Sequence, residues 1–208
     1  MSDKVLRVGC YGAKGSYTYE AMEQQFGNRK REESYFPLFE DVVKAVQEGD
    51  IDYGVVPIEN SSTGGITEVY DLIQRYGCAV VGEQIVKIEH NLLGLPGAKL
   101  EDIDTVFSHP QGFAQCRPFF NKHRDWTLKP YFSTSRSAEK GAQDGKKNQA
   151  AVASRTAARL YGLSVLAENI FFNSSNYTRF CISGPKMEIK PTADKITLVI
   201  SVRPEPGA

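Results

Sequence analysis

Short apolar runs alternate with helix-period segments along most of the chain, the order expected of an α/β protein with mostly parallel sheets. Residues 5–10 read as a first strand. The turn from Tyr11 to Ser16 follows, and residues 17–26 are helical, with Ser16 as a candidate N-cap and a stop at Gly27. Residues 39–48 form a second helix closed by Gly49, 53–58 a buried strand, and 66–76 a third helix closed by Gly77. Residues 79–95 form a long extended stretch. A short strand at 105–107 then runs into a helix from Pro110 to about Lys122, where proline suits the first turn because its missing N–H needs no partner. Strands at 127–132, 150–153 and 177–183 alternate with helices at 134–143 and 154–161, the last ended by Gly162.

Four strand-to-helix junctions carry the same chemistry: Gly12/Gly15/Ser16, the run from Asn60 to Gly65, Ser108-His109-Pro110-Gln111, and Ser133-Thr134-Ser135. In open α/β sheets ligands gather at the carboxyl ends of strands, where helix N-termini offer unpaired N–H groups and partial positive charge. These junctions either surround a small anion or simply cap their helices. The run from Asn60 to Gly65 has more consecutive small or polar residues than one cap requires. His109, just before Pro110, reads as a junction residue rather than a general base.

Composition narrows the field. Lys plus Arg (25) balance Asp plus Glu (25), so no global field points to nucleic acid or anionic lipid. The first seven residues contain no apolar core of a leader, and no stretch of about 18 apolar residues occurs, so neither a signal peptide nor a membrane span is expected. Cys10, Cys78, Cys116 and Cys181 are isolated and the three histidines have no metal-ligand spacing, so no zinc site is expected. Each cysteine sits in or beside an apolar run and reads as a thiol in a reducing, cytoplasmic setting.

The segment from Val55 through Pro57-Ile58-Glu59-Asn60-Ser61-Ser62-Thr63-Gly64-Gly65 closely resembles a signature of the prephenate dehydratase family. So do Tyr11 to Thr18 (with Ala13 where proline is usual), Ser108-His109-Pro110-Gln111 through Gln115-Cys116, and Thr178-Arg179-Phe180. His90-Asn91-Leu92-Leu93 and the run from Ala150 to Ser154 also fit, and the resemblance covers about residues 5–185. Phe132 stands where some relatives carry an acidic residue.

The resemblance implies two Rossmann-like α/β lobes with a cleft between them, similar to type 2 periplasmic binding proteins. Residues 1–190 would form the domain, with lobe one at about 1–78 and 168–188, lobe two at about 79–167, and crossings within 79–90 and near 166–171. It also implies decarboxylating dehydration of prephenate to phenylpyruvate, water and carbon dioxide, within phenylalanine biosynthesis and without metal or cofactor. Thr178 would be the catalytic donor. Ser16, Tyr17, Thr18, Asn60, Ser61, Ser62, Thr63, Gly64, Ser108, Gln111, Gln115, Thr134, Arg179 and Phe180 would contact substrate. Arg179 would clamp a carboxylate and Phe180 would supply apolar wall. Glu59 is either an active-site acid or the partner of a nearby cation.

Residues 191–208 resemble a linker and the first strand of a truncated regulatory ACT domain, so the phenylalanine effector site is expected to be missing. No chorismate mutase segment is expected ahead of the domain, and a homodimer or homotetramer is expected from the family. Two alternatives remain: a cleft that binds a small anion or amino acid without catalysis, and dehydration of arogenate, for which a carboxylate placed to meet the ammonium would be the sign.

Overall fold

The computed structural model describes residues 5–27, 29–188 and 195–198. Lobe one opens with β1 (Leu6–Tyr11), α1 (Tyr17–Phe26), β2 (Arg31–Phe36), α2 (Phe39–Glu48) and β3 (Tyr53–Asn60). The two-residue β4 (Gly64–Gly65), α3 (Thr67–Arg75) and β5 (Ala79–Lys87) follow. The chain crosses at residues 88–90 into β6 (Asn91–Gly94), β7 (Thr105–Ser108), α4 (Pro110–Gln115) and α5 (Arg117–Phe120). Lobe two continues with β8 (Thr127–Pro130), α6 (Thr134–Asp144), β9 (Gln149–Ala153), α7 (Arg155–Tyr161) and β10 (Ser164–Ala167). A loop then returns the chain to β11 (Tyr177–Gly184) in the first sheet.

The first sheet runs β2-β1-β3-β11-β5, with β4 on β3, and the second runs β10-β6-β9-β7-β8. Both are mixed, which corrects the expectation of mostly parallel sheets. Pairings among β1, β2 and β3 and among β7, β8 and β9 are parallel. Every pairing made by the strands that bring the chain between lobes, β5, β6, β10 and β11, is antiparallel. The long 79–95 stretch is thus two strands in two sheets. Because β5 pairs with β11 in the first sheet, the passage between lobes falls inside that stretch, at 88–90, and residues 79–87 belong to lobe one.

Local rules place the helices. Ser16, Ser133 and Ser154 each accept a hydrogen bond from a first-turn N–H, and Gly49, Gly145 and Gly162 end helices in the left-handed region. The helix expected over 110–122 is interrupted at Cys116. The cause is Pro118, which cannot donate to the carbonyl four residues back.

Each sheet is covered on both faces. Successive strand residues point to opposite sides, so Val55 and Ile182 join Val8, Cys10 and Met22 under α1, while Val56 and Cys181 join Val42, Val46 and Ile73 under α2 and α3. In lobe two Leu92, Val106, Phe120 and Trp126 fill one side, and Leu93, Ala138, Ala151 and Ala157 the other.

Gly54 on β3 tests how tightly α2 sits. An added Cβ would lie 2.8 Å from Val42 Cγ1 and 2.9 Å from Val46 Cγ2. Gly54→Ala is therefore expected to cost about 1–3 kcal/mol in chemical denaturation, the usual cost of overpacking. All four cysteines are free, and burial pushes the Cys10, Cys116 and Cys181 thiols up to about 12. Cys78 alone of the four is partly exposed. A disulfide reagent at neutral pH is expected to titrate about one thiol in the native protein, as reactivity needs access and thiolate, and all four after unfolding.

The linker and first strand expected within residues 191–208 lie outside the described residues, except for 195–198, which form no strand.

Candidate active site

A cavity of about 300 Å³ lies between the lobes. Lobe one supplies Tyr11, Ser16, Tyr17, Thr18, Pro57, Asn60, Thr63 and Ile66; the crossing segments supply Ile88, His90 and Asn176; lobe two supplies His109, Gln111, Gly112, Gln115 and Ser133 to Ser135. Thr178 and Phe180, from β11, line its wall. Two larger hollows, about 480 and 440 Å³, lie where α1 meets α7 and carry mixed charges, including Glu20 and Arg159. The smaller cavity is the candidate site, because the strand-to-helix junctions converge there. Among the described residues, none that lines it is Asp, Glu, Lys or Arg.

What the wall offers instead is hydrogen-bond donors. Ser16 Oγ takes the Tyr19 N–H at 3.1 Å, and Ser133 Oγ takes that of Arg136 at 3.1 Å. The first N–H groups of α1 and α6, at Tyr17, Thr18, Thr134 and Ser135, have no acceptor of their own helix. Both helices begin at the cavity, so their positive ends face it. An uncharged cleft of this kind suits a small anion.

Thr178 is 8% exposed and its hydroxyl is oriented by Asn60. The Ser62 N–H donates at 2.9 Å to one atom of the Asn60 amide, which must therefore be the oxygen. The other atom is then the nitrogen, which donates to Thr178 Oγ1 at 2.9 Å and to Asn176 Oδ1 at 2.8 Å. Thr178 accepts from Asn60, so its own proton is available to a ligand in the cavity.

The structure brings Ser16, Tyr17, Thr18, Asn60, Thr63, Gln111, Gln115, Thr134, Thr178 and Phe180 to the cavity wall. It does not bring Ser61, Ser62, Gly64, Ser108, Arg179 or Glu59 there. Ser61 ties its loop to the return segment, donating to Ser175 O at 2.8 Å and accepting from Tyr177 N at 2.9 Å, while Ser62 Oγ accepts from Asn173 Nδ2 at 3.2 Å. Gly64, at φ +83, lets the loop fold back so that β4 pairs with β3. Ser108 is fully buried, bonded to Val152 O at 3.3 Å and packed beneath Gly112.

Arg179 follows Thr178 on a strand, so it projects from the opposite face. There it pairs with Glu59 at 2.8 Å and Glu83 at 3.8 Å. The expected carboxylate clamp is thus not at the cavity in this structure, and Glu59 has the cation partner of its second reading. His109 caps α4, its Nδ1 accepting from Gln111 N at 3.2 Å. Missing from the expected contacts are Asn176 and His90, both 3% exposed. His90 lies in a segment that resembles the family, but that resemblance gave neither residue a role, and the side chains they bond are distant in sequence.

The fold is that of a two-lobed α/β protein, with a cleft whose lining suits a small anion beside one oriented hydroxyl. The prephenate dehydratase family profile matches residues 8–188, and the chain belongs to that family. It is 40% identical to the bifunctional chorismate mutase/prephenate dehydratase of Escherichia coli (strain K12) over 86% of this chain and 47% of that protein. The chain thus spans about half the length of the curated relatives it matches. Among solved structures, the Arthrobacter aurescens prephenate dehydratase in complex with L-Phe has 30% identity and a TM-score of 0.76, covering 86% of this chain and 60% of that one. GqqA, described as a novel type of quorum quenching acylase, has 30% identity and a TM-score of 0.77, covering 89% and 66%.

Proposed function

We propose that the chain catalyses the decarboxylating dehydration of prephenate to phenylpyruvate. The observation that carries this reading is the Thr178 hydroxyl, which accepts from Asn60 at the wall of a donor-rich cleft and so keeps its own proton for a ligand there. In the reaction the electron pair of the bond to the ring carboxylate moves into the ring, carbon dioxide leaves, and the ring hydroxyl departs. One proton, finally from solvent, converts that hydroxyl to water.

Each requirement has a counterpart in the site. The N-termini of α1 and α6 and the amide donors hold the anion. Thr178 donates a directed hydrogen bond to the departing oxygen. With no Lys or Arg on the wall among the described residues, the ring carboxylate is held by dipoles, which favours its loss as neutral carbon dioxide. Phe180 offers apolar surface to the ring.

Prephenate is favoured over arogenate because, among the described residues, no carboxylate lines the cavity to meet an ammonium group. A burial cost for that unpaired charge works against the amino acid. An acylase reading would need an activated nucleophile. Among the described residues, no serine, threonine or cysteine side chain is bonded to a histidine ring; the rings of His90 and His109 bond to other groups. The four free thiols support a reducing, cytoplasmic setting.

Parallel assays with prephenate and arogenate test the proposal. The expected kcat/KM is at least about tenfold higher for prephenate, the factor for roughly 1.4 kcal/mol. A preference for arogenate would overturn the electrostatic argument.

A further inference from the structure

The Tyr17–His90–Gln115 chain spans both lobes through the crossing segment. Tyr17 opens α1, His90 ends the crossing and Gln115 ends α4. The Tyr17 hydroxyl lies 2.9 Å from His90 Nδ1, and His90 Nε2 lies 2.7 Å from Gln115 Oε1. All three residues line the cavity.

A neutral imidazole allows two consistent networks, since one ring nitrogen donates and the other accepts. In the first, Tyr17 donates to Nδ1 and Nε2–H donates to the Gln115 carbonyl, leaving the Gln115 NH2 for the cavity. In the second, Nδ1–H donates to the Tyr17 oxygen, Tyr17 donates to the Glu89 carbonyl, and Gln115 turns its NH2 to Nε2. The cavity then meets the Gln115 oxygen, which repels an anion. One observation favours the first network: the Gln115 oxygen is the atom facing His90 Nε2, at 2.7 Å, so the ring donates there. The Tyr17 proton is then shared between two acceptors, the Glu89 carbonyl and His90 Nδ1, each 2.9 Å from the Tyr17 oxygen. Burial holds the His90 pKa below its ordinary value, so the ring is neutral near pH 7.

We propose that His90 is a positioning residue whose Nε2–H tautomer, selected by Tyr17, turns Gln115 so that its amide N–H groups face the substrate anion. Because Tyr17 and Gln115 belong to different lobes, this donor is set only when the lobes hold this relative position. The assignment rests on the proposed dehydratase function for its kinetic consequence, but not for the tautomer itself.

Two measurements test it. Nitrogen-15 NMR of the histidine side chains in the full, unliganded chain at pH 7 should give His90 the Nε2–H signature. The Nδ1–H form or a doubly protonated ring would overturn the proposal. Kinetics supply the second test, because glutamine can place an N–H near the Nε2 position and asparagine only near Nδ1. The expected KM for prephenate is at least about tenfold higher in His90→Asn than in His90→Gln, as for loss of a hydrogen bond to a charged group, with kcat much less separated. Equal KM values would overturn the proposal. If neither variant folds, the wild-type spectrum decides alone. If the wild-type chain leaves prephenate unchanged, the functional reading fails while the tautomer result still stands.

Discussion

Thr178→Ala is expected to lower kcat at least about 100-fold, the contribution of a positioned proton donor, with the fold intact. The substitution removes one acceptor from the Asn60 amide, which keeps Asn176 Oδ1 at 2.8 Å and Tyr177 O at 3.2 Å. The loss of stability is therefore expected within about 1 kcal/mol, the scale of one net hydrogen bond. Thr178→Ser keeps the hydroxyl and should recover much of the rate. Steady-state kinetics beside thermal melting check both variants. A folded alanine variant with nearly full activity would remove Thr178 from the chemistry.

Thr134→Asp should separate stability from binding. Thr134 is the first residue of α6 and lines the cavity. A carboxylate there favours the helix by about 0.3–1 kcal/mol through the positive N-terminal end, so the melting temperature should hold or rise. The same carboxylate faces a dianionic substrate without a cation to offset it. Like-charge juxtaposition costs several kcal/mol, so KM for prephenate should rise by at least about 100-fold. Thr134→Asn, uncharged, should change KM far less. If the aspartate variant kept wild-type affinity, the substrate anion would not lie at the α6 N-terminus.

The helices were the most legible part of the sequence, because serine caps and terminal glycines mark their ends within a few residues. Edge strands were less so. β2, Arg-Glu-Glu-Ser-Tyr-Phe, has no fully buried residue, and β10 is only half buried, so neither carries a run of core residues. The division of residues 79–95 between two sheets depends on β11, about 90 residues further on, and no local pattern announces it. In the site, the Thr-Arg-Phe run located Thr178 correctly on a strand. The period of two along that strand already implied that Arg179 would face away from Thr178. His90 was different: its bonding partners are 73 and 25 residues distant, so only the fold brings them together.

The most direct test of the central claim is to incubate the purified chain with prephenate at neutral pH and follow product. Phenylpyruvate is read by its absorbance in alkali and carbon dioxide is trapped, against a protein-free blank and the Thr178→Ala variant. The account predicts phenylpyruvate and carbon dioxide in equal amounts, formed only by the wild-type protein at appreciable rate. Unchanged prephenate with the wild-type chain would contradict it, as would equal rates for wild type and variant.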